Sequence, residues 1–210
     1  MITNAVSHLF DALKQARWQQ WGLVLIACVC ALGLRRELVP TFTTDYTDFM
    51  QLWIDTLRKE GFHAFATDFA DYNPPYLYLL YIGSRFPIHG LTIIKIYGAI
   101  FDTFLAVGVG ALLYRVRRNL FVAVIAAAAA LYIPEVFLNS AFWGQVDVTY
   151  ASFLVWSAFF LVGRQSTPAW IFFAIALSFK LQAIFFLPWI IFAFIIQRHR
   201  WRSVLVGLVV

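Results

Sequence analysis

The chain is short of cysteine, of scattered charge and of any signature for a bound nucleotide or zinc ion, and each shortage excludes something. Its two cysteines, Cys28 and Cys30, lie two apart on one apolar run. A helix there turns their thiols to nearly opposite sides, so neither a disulfide nor a metal pair is expected. Leu25-Ile26-Ala27-Cys28 resembles a lipoprotein processing box. It falls inside the first apolar run with multi-pass sequence after it, so a span is expected instead. The four histidines, His8, His63, His89 and His199, are scattered. No glycine-rich phosphate loop, Ser-His-Asp order or Cys/His ligand spacing occurs, which leaves nucleotide-dependent and zinc-dependent chemistry without support.

What is abundant is apolar surface. Apolar residues make up 62% of the 210 and aromatics 19%, with a mean hydropathy of +0.76, against roughly 45–50% apolar in soluble domains. The composition predicts an all-α, polytopic membrane protein. Sixteen basic residues against eleven acids do not indicate nucleic acid, because most sit at the ends of apolar runs, where they set topology.

Residues 4 to 18 place Val6, Leu9, Phe10 and Leu13 on one face and predict an amphipathic helix on the inner membrane surface. A first span is expected over 18–34, with Arg35 and Arg36 snorkelling to the interface. An outer loop, 35–90, follows. Within it Thr44 to Phe86 holds six of the eleven acids: Asp45, Asp48, Asp55, Glu60, Asp68 and Asp71. Phe49, Leu52, Trp53, Thr56 and Leu57 recur at helical spacing and predict a helix lying flat, stopped by Gly61. After Tyr72-Asn73-Pro74-Pro75, the run Tyr76 to Phe86 is too short to cross about 30 Å of hydrocarbon and predicts a second interfacial or re-entrant helix.

Further spans are expected over 91–114, 119–132 and 148–162, with Pro134 ending the second of these and a second outer loop over 134–147. After a turn at 163–168, segments over 169–182 and 183–196 follow, short enough to be half-helices, and a last run begins at Ser203. Eight residues cannot span a bilayer, so the chain is expected to be the amino-terminal part of something longer. If Tyr76 to Phe86 does not cross, Lys14, Arg17, Arg115, Arg117, Arg118, Arg164, Arg198, Arg200 and Arg202 all fall inside, with Asp11 the single acid among them. That positive-inside pattern predicts a multi-pass protein of the cytoplasmic (inner) membrane with a cytoplasmic N-terminus and both acidic loops on the outer face.

Chemistry on that face falls to carboxylates. Asp45 and Asp48 precede the flat helix, where capping is the ordinary role of such residues. Asp147 lies on the same face beside Trp143 and Gln145. Rings, amides and a carboxylate together suit a sugar, the ring stacking on it and the acid taking a hydroxyl proton. Lys95, Asp102 and Lys180 are charges within spans, each costing about 2.5 to 3.5 kcal/mol on insertion scales. Lys180 is expected either to hold a lipid phosphate or to pair with Asp102.

Asp45-Tyr46 with Phe49 and Trp53, then Tyr72-x-Pro74-Pro75-Tyr76-Leu77-Tyr78-Leu79-Leu80, Trp143-Gly144-Gln145-x-Asp147, and Phe179-Lys180-x-Gln182 with Pro188 together resemble bacterial polytopic mannosyltransferase-like proteins. These are related to the GPI-anchor mannosyltransferases, within the GT-C glycosyltransferases. The resemblance runs from about Trp18 to Trp201. It implies a GT-C-like helix bundle and a polyprenyl-phosphate-sugar donor, with a hexose, mannose by closest resemblance, passing with inversion to a glycan or glycolipid acceptor. It implies Asp45 as base with Asp48 as understudy, Asp147 on substrate hydroxyls, Lys180 and Gln182 near the carrier phosphate, and Trp143 and Tyr72 shaping the pocket. A divalent metal, Mg or Mn, is permitted but not required. A lipid or sugar-lipid transporter and a non-catalytic membrane homologue are the rival readings, and the absence of an internal repeat counts against the transporter.

Overall fold

The computed structural model describes residues 18–196. The expected amphipathic helix before Trp18, the basic cluster at 198–202 and the run from Ser203 lie outside them. Every regular element among the described residues is helical. The longest helix organises the rest. It spans Gly90–Arg117, 28 residues, about 42 Å at 1.5 Å per residue. His89 Nδ1 caps its start by accepting from the Leu91 amide, and Arg118 ends it in the left-handed region at φ 55°. Among the described residues it is the one helix long and apolar enough by itself to cross a membrane.

In chain order the α-helices are α1 Trp18–Leu38, α2 Gln51–Glu60, α3 Pro74–Ser84, α4 Gly90–Arg117, α5 Leu120–Ala130, α6 Pro134–Phe137, α7 Asp147–Val162, α8 Ser166–Phe179 and α9 Leu187–Ile196. Two π-helical turns, Tyr46–Met50 and Leu138–Trp143, and two 3-10 turns, Gly61–Ala66 and Leu181–Phe186, join them. α4 packs between α5 and α7, and α8 lies on α7. Close approach is made through small residues: Gly108 lies against Val155 and Trp156, Gly110 against Ala123 and Ala127.

The acidic stretch is a folded cap on one end of this bundle. Met50, Trp53, Ile54 and Leu57 are buried against Tyr76, Leu77 and Leu80, and the cluster continues into Leu91, Ile94, Val146 and Phe179. The helix expected here therefore exists and ends at Gly61, whose φ of +64° a side chain would strain, but its buried face is turned from the expected one. Phe49 and Leu52 are 49% and 60% exposed. The stripe 50, 53, 54, 57 is apolar throughout, whereas the expected stripe includes Thr56, and the purer stripe takes the core. α3 has 11 residues with both prolines in its first turn, about 16 Å of helix, and does not reach across a bilayer.

Three other expectations are corrected. The helix before Pro134 ends as expected, at Ala130, but the segment after it is not a loop: past a break at 131–133 Pro134 starts α6, and Leu120–Ala130 and Pro134–Trp143 meet at 52°, because proline costs nothing at a first turn. Arg35 does not snorkel. It is 6% exposed, and its Nε lies 2.8 Å from Oδ2 of the fully buried Asp102, while its Nη atoms donate to the carbonyls of Ala31 and Leu131. Asp102 thus faces Arg35 rather than Lys180, which pairs with Asp147. Finally, the helix expected to run to Gln182 stops at Phe179, with Lys180 extended at φ −153°, ψ 130°.

α4 also touches the second π turn. A Cβ built on Gly98 comes within 2.9 Å of Ser140 Cβ and 3.3 Å of its backbone. Gly98→Ala is expected to lower stability by about 1–3 kcal/mol through overpacking, read as a lowered unfolding midpoint in detergent. An unchanged midpoint would mean that this contact is slack.

Candidate functional site

Two separate segments build the site. Ahead of the first π turn, Asp45 leaves the chain beside Thr43, whose Oγ1 donates to the Trp143 carbonyl at 2.9 Å and ties the acidic cap to the second π turn. Asp45 Oδ2 accepts from Trp143 Nε1 at 2.8 Å and from Gln145 Nε2. Gly144, at φ +78°, turns the chain between those two donors, so that indole and amide converge on one oxygen. Oδ1 of Asp45 takes no hydrogen bond from the described residues.

Asp45 faces a cavity of about 210 Å³ lined with Phe49, Met50, Trp53, Asp71 and Tyr72. The Tyr72 ring sits 5.2 Å from that of Trp53 and 5.5 Å from that of Tyr76. Burial, and behind it the charges of Asp147 and Asp45, push the Tyr72 hydroxyl up to about 12. A raised phenol stays protonated. Tyr72 is therefore a neutral donor through neutral pH, and its hydroxyl begins to ionise only well above 10.

Gln145 also leads the other way. Asn139 Nδ2 donates to Gln145 Oε1 at 3.4 Å and to Asp147 Oδ2 at 2.9 Å, and Asn139 Oδ1 accepts from the Asp147 amide at 3.2 Å. Asp147 Oδ1 pairs with Lys180 Nζ. Asp45, Gln145, Asn139, Asp147 and Lys180 thus form one continuous polar chain. Its far end opens on a second cavity of about 410 Å³, whose polar wall is Glu135, Asn139, Asp147, Lys180 and Gln182 and whose apolar wall includes Leu105, Val136 and Val148.

Of the residues singled out from the sequence, Asp45, Tyr72, Trp143, Gln145, Asp147, Lys180 and Gln182 come together around these two cavities. Asp48 does not. It is exposed, accepts from the neighbouring Thr47 hydroxyl and lines neither cavity. Asn139, Asp71 and Glu135 join the site without having been singled out. Asp71 adjoins Tyr72 and Glu135 opens the segment leading to Trp143, so proximity was a usable signal for both. Nothing in the spacing marks Asn139.

The carboxylates read as permitting Mg²⁺ or Mn²⁺ are each already engaged by protein donors. One oxygen of Asp45 already holds two N–H donors, and Asp147 is shared between Lys180 and Asn139. Among the described residues no three His, Cys, Asp or Glu side chains converge at ligand spacing. No family model matches the chain, and neither does any curated protein or solved structure.

Proposed function

We propose that the protein is a multi-pass glycosyltransferase of the GT-C kind, moving a hexose, by resemblance mannose, from a polyprenyl-phosphate carrier to a hydroxyl of a glycan or glycolipid at the outer face of the cytoplasmic membrane. One observation carries the reading. A carboxylate fixed through one oxygen presents its other oxygen beside an aromatic-walled cavity of monosaccharide size, and a short polar chain joins it to a second cavity holding a lysine.

The acceptor hydroxyl sits against Trp53 and Tyr72 and gives its proton to Asp45 Oδ1 as its oxygen bonds to the anomeric carbon. The bond from that carbon to the carrier phosphate breaks on the opposite side, the phosphate leaves with the electron pair, and the sugar inverts. Lys180, shared with Asp147, balances the departing charge as a point cation. Trp143 and Gln145 keep Asp45 in line with the attack, and orientation of this sort is a large part of any such rate enhancement.

Helix lengths favour a lipid-borne donor. α7 rises about 24 Å and α8 about 21 Å from the turn that joins them, against about 30 Å of hydrocarbon. Arg115 and Arg164 lie at that turn, as the inner end of a positive-inside bundle requires. Asp147 and Lys180 then lie several ångströms below the outer hydrocarbon edge, a depth that a lipid head reaches laterally.

The test is transfer of radiolabelled sugar from a panel of polyprenyl-phosphate sugars in membranes containing the protein. Transfer from at least one donor is expected. With no active donor, the reading fails and the transporter and non-catalytic homologue alternatives take its place. Lys180→Met is expected to raise KM for the donor about 10- to 100-fold, the worth of one hydrogen bond to a charged group, and to leave KM for the acceptor unchanged. An equal rise in both would remove Lys180 from the phosphate.

A further inference from the structure

Lys95 and Asp102 are the two charges buried on α4, seven residues apart and so nearly on one helical face. Neither lines the cavities described above. Both reach the second π turn. Lys95 Nζ donates to the carbonyls of Ala141 and Phe142, each at 2.6 Å. Asp102 Oδ2 accepts from Ser140 Oγ at 2.7 Å and from Arg35 Nε at 2.8 Å. Gly98, between them on α4, lies against Ser140 itself. Three successive points of one helix thus hold three successive residues, 140 to 142, and the next residue is Trp143.

We infer that Lys95 and Asp102 are positioning residues: a two-point clamp, set from α4, that fixes the Leu138–Trp143 turn so that the Trp143 indole and the Gln145 amide meet Asp45. The consequence for transfer rests on the reading of Asp45 as the base; the clamp itself does not.

The chemistry at each point fits the task. The last carbonyls of a helical turn have no partner within it, and an ammonium satisfies two of them while matching the negative end of the turn's dipole. A π turn, here continuing from α6, is an unfavourable local choice that persists where something outside holds it. Apolar contacts would join α4 to this segment without burying charge. They are not directional, however, and would let the segment slide by a fraction of a turn. Hydrogen bonds to Ser140, Ala141 and Phe142 set its register. The Asp102 carboxylate bears the mark of that use: Oδ2 takes both of its bonds, and Oδ1 is buried without a partner among the described residues. A pair built for stability alone would engage both oxygens with the guanidinium fork.

The experiment labels the whole protein with 5-fluorotryptophan in detergent and follows the Trp143 fluorine line, assigned by its loss in Trp143→Phe. Asp45→Asn, which removes the charge beside the indole, calibrates the direction in which the line moves when that contact changes. Lys95→Met is expected to move the Trp143 line in that direction or to split it, while the Trp156 and Trp170 lines stay in place. Ser140→Ala, which removes a neutral hydroxyl and uncovers no charge, is expected to move it the same way by less. A Trp143 line unmoved in Lys95→Met overturns the clamp. If Lys95→Met disturbs every line, Ser140→Ala decides: an unmoved Trp143 line there overturns it, and a selective shift upholds it. Where transfer is measurable, Lys95→Met lowers kcat about 10²-fold, the cost of an ångström of misplacement, with KM for the donor little changed. A shifted line in a protein that transfers no sugar upholds the clamp and removes the transferase.

Discussion

Asp45→Asn is expected to lower glycosyl transfer by about 10²- to 10⁴-fold, the usual contribution of a positioned general base, and to leave expression and folding intact. The substitution is nearly isosteric. Asn keeps one oxygen to accept from Trp143 Nε1 and Gln145 Nε2, the two donors that now converge on Oδ2. What it replaces is Oδ1, the atom free to take the hydroxyl proton, with an amide nitrogen that cannot accept one. Two carboxylates serve as controls. Asp48→Asn is expected to leave transfer unchanged, since Asp48 is exposed and, among the described residues, bonded only to its neighbour Thr47. Asp71→Asn keeps a hydrogen-bonding group in the 210 Å³ cavity and is expected to raise KM for the acceptor without abolishing kcat. If the loss falls on Asp48→Asn instead, the base is misassigned. If all three retain wild-type kcat, base catalysis by this loop is excluded.

Much of this arrangement was visible in the sequence, for identifiable reasons. Gly61 at a helix end, Pro74-Pro75 at a helix start and the shortness of α3 follow from local rules of backbone and length, and local rules can be read one residue at a time. The meeting of Asp45 with Trp143 and Gln145, about a hundred residues apart, was expected only in the sense that both acidic segments were assigned to one face. The hydrogen bonds between them needed coordinates.

What the sequence hid was set by tertiary contact. The second π turn is bonded from outside by Thr43, Lys95 and Asp102 at backbone and side-chain groups, and no propensity encodes that. Pro134 carries the same signal whether it ends one helix or starts another. Asn139 acts through geometry that a π turn creates, so its role became legible only once the turn was seen. Arg35 at the end of an apolar run is indistinguishable from a snorkelling arginine until α1 is laid beside α4, which sets Asp102 against it. The pairing with Asp102, one of the two readings for Lys180, is not made: Asp102 faces Arg35, and Lys180 meets Asp147.

That buried pair yields the second large effect. Arg35→Met is expected to destabilise the protein by about 3–5 kcal/mol, because it strands the Asp102 carboxylate, fully buried and, among the described residues, partnered otherwise only by Ser140. Against a total stability of about 5–15 kcal/mol, this is a large drop in unfolding midpoint, measurable by thermal or denaturant melting in detergent. The double variant Arg35→Met, Asp102→Leu removes both charges and is expected to regain most of that loss, since an apolar pair of similar volume often equals or exceeds a buried ion pair in stability. Recovery in the double variant assigns the loss to the stranded charge. Failure to recover assigns it to the carbonyls of Ala31 and Leu131, which lose their guanidinium donors in either variant. The same double variant also separates stability from positioning. With Asp102 gone, Ser140 keeps, among the described residues, only its bond to the Val136 carbonyl, and Lys95 is left as the one hydrogen-bonding side chain of the clamp. A protein that melts like the wild type but transfers sugar poorly is therefore the expected outcome. It follows from one physical difference: apolar burial restores the energy of packing two helices, and only directional bonds restore the angle at which Trp143 and Gln145 reach Asp45.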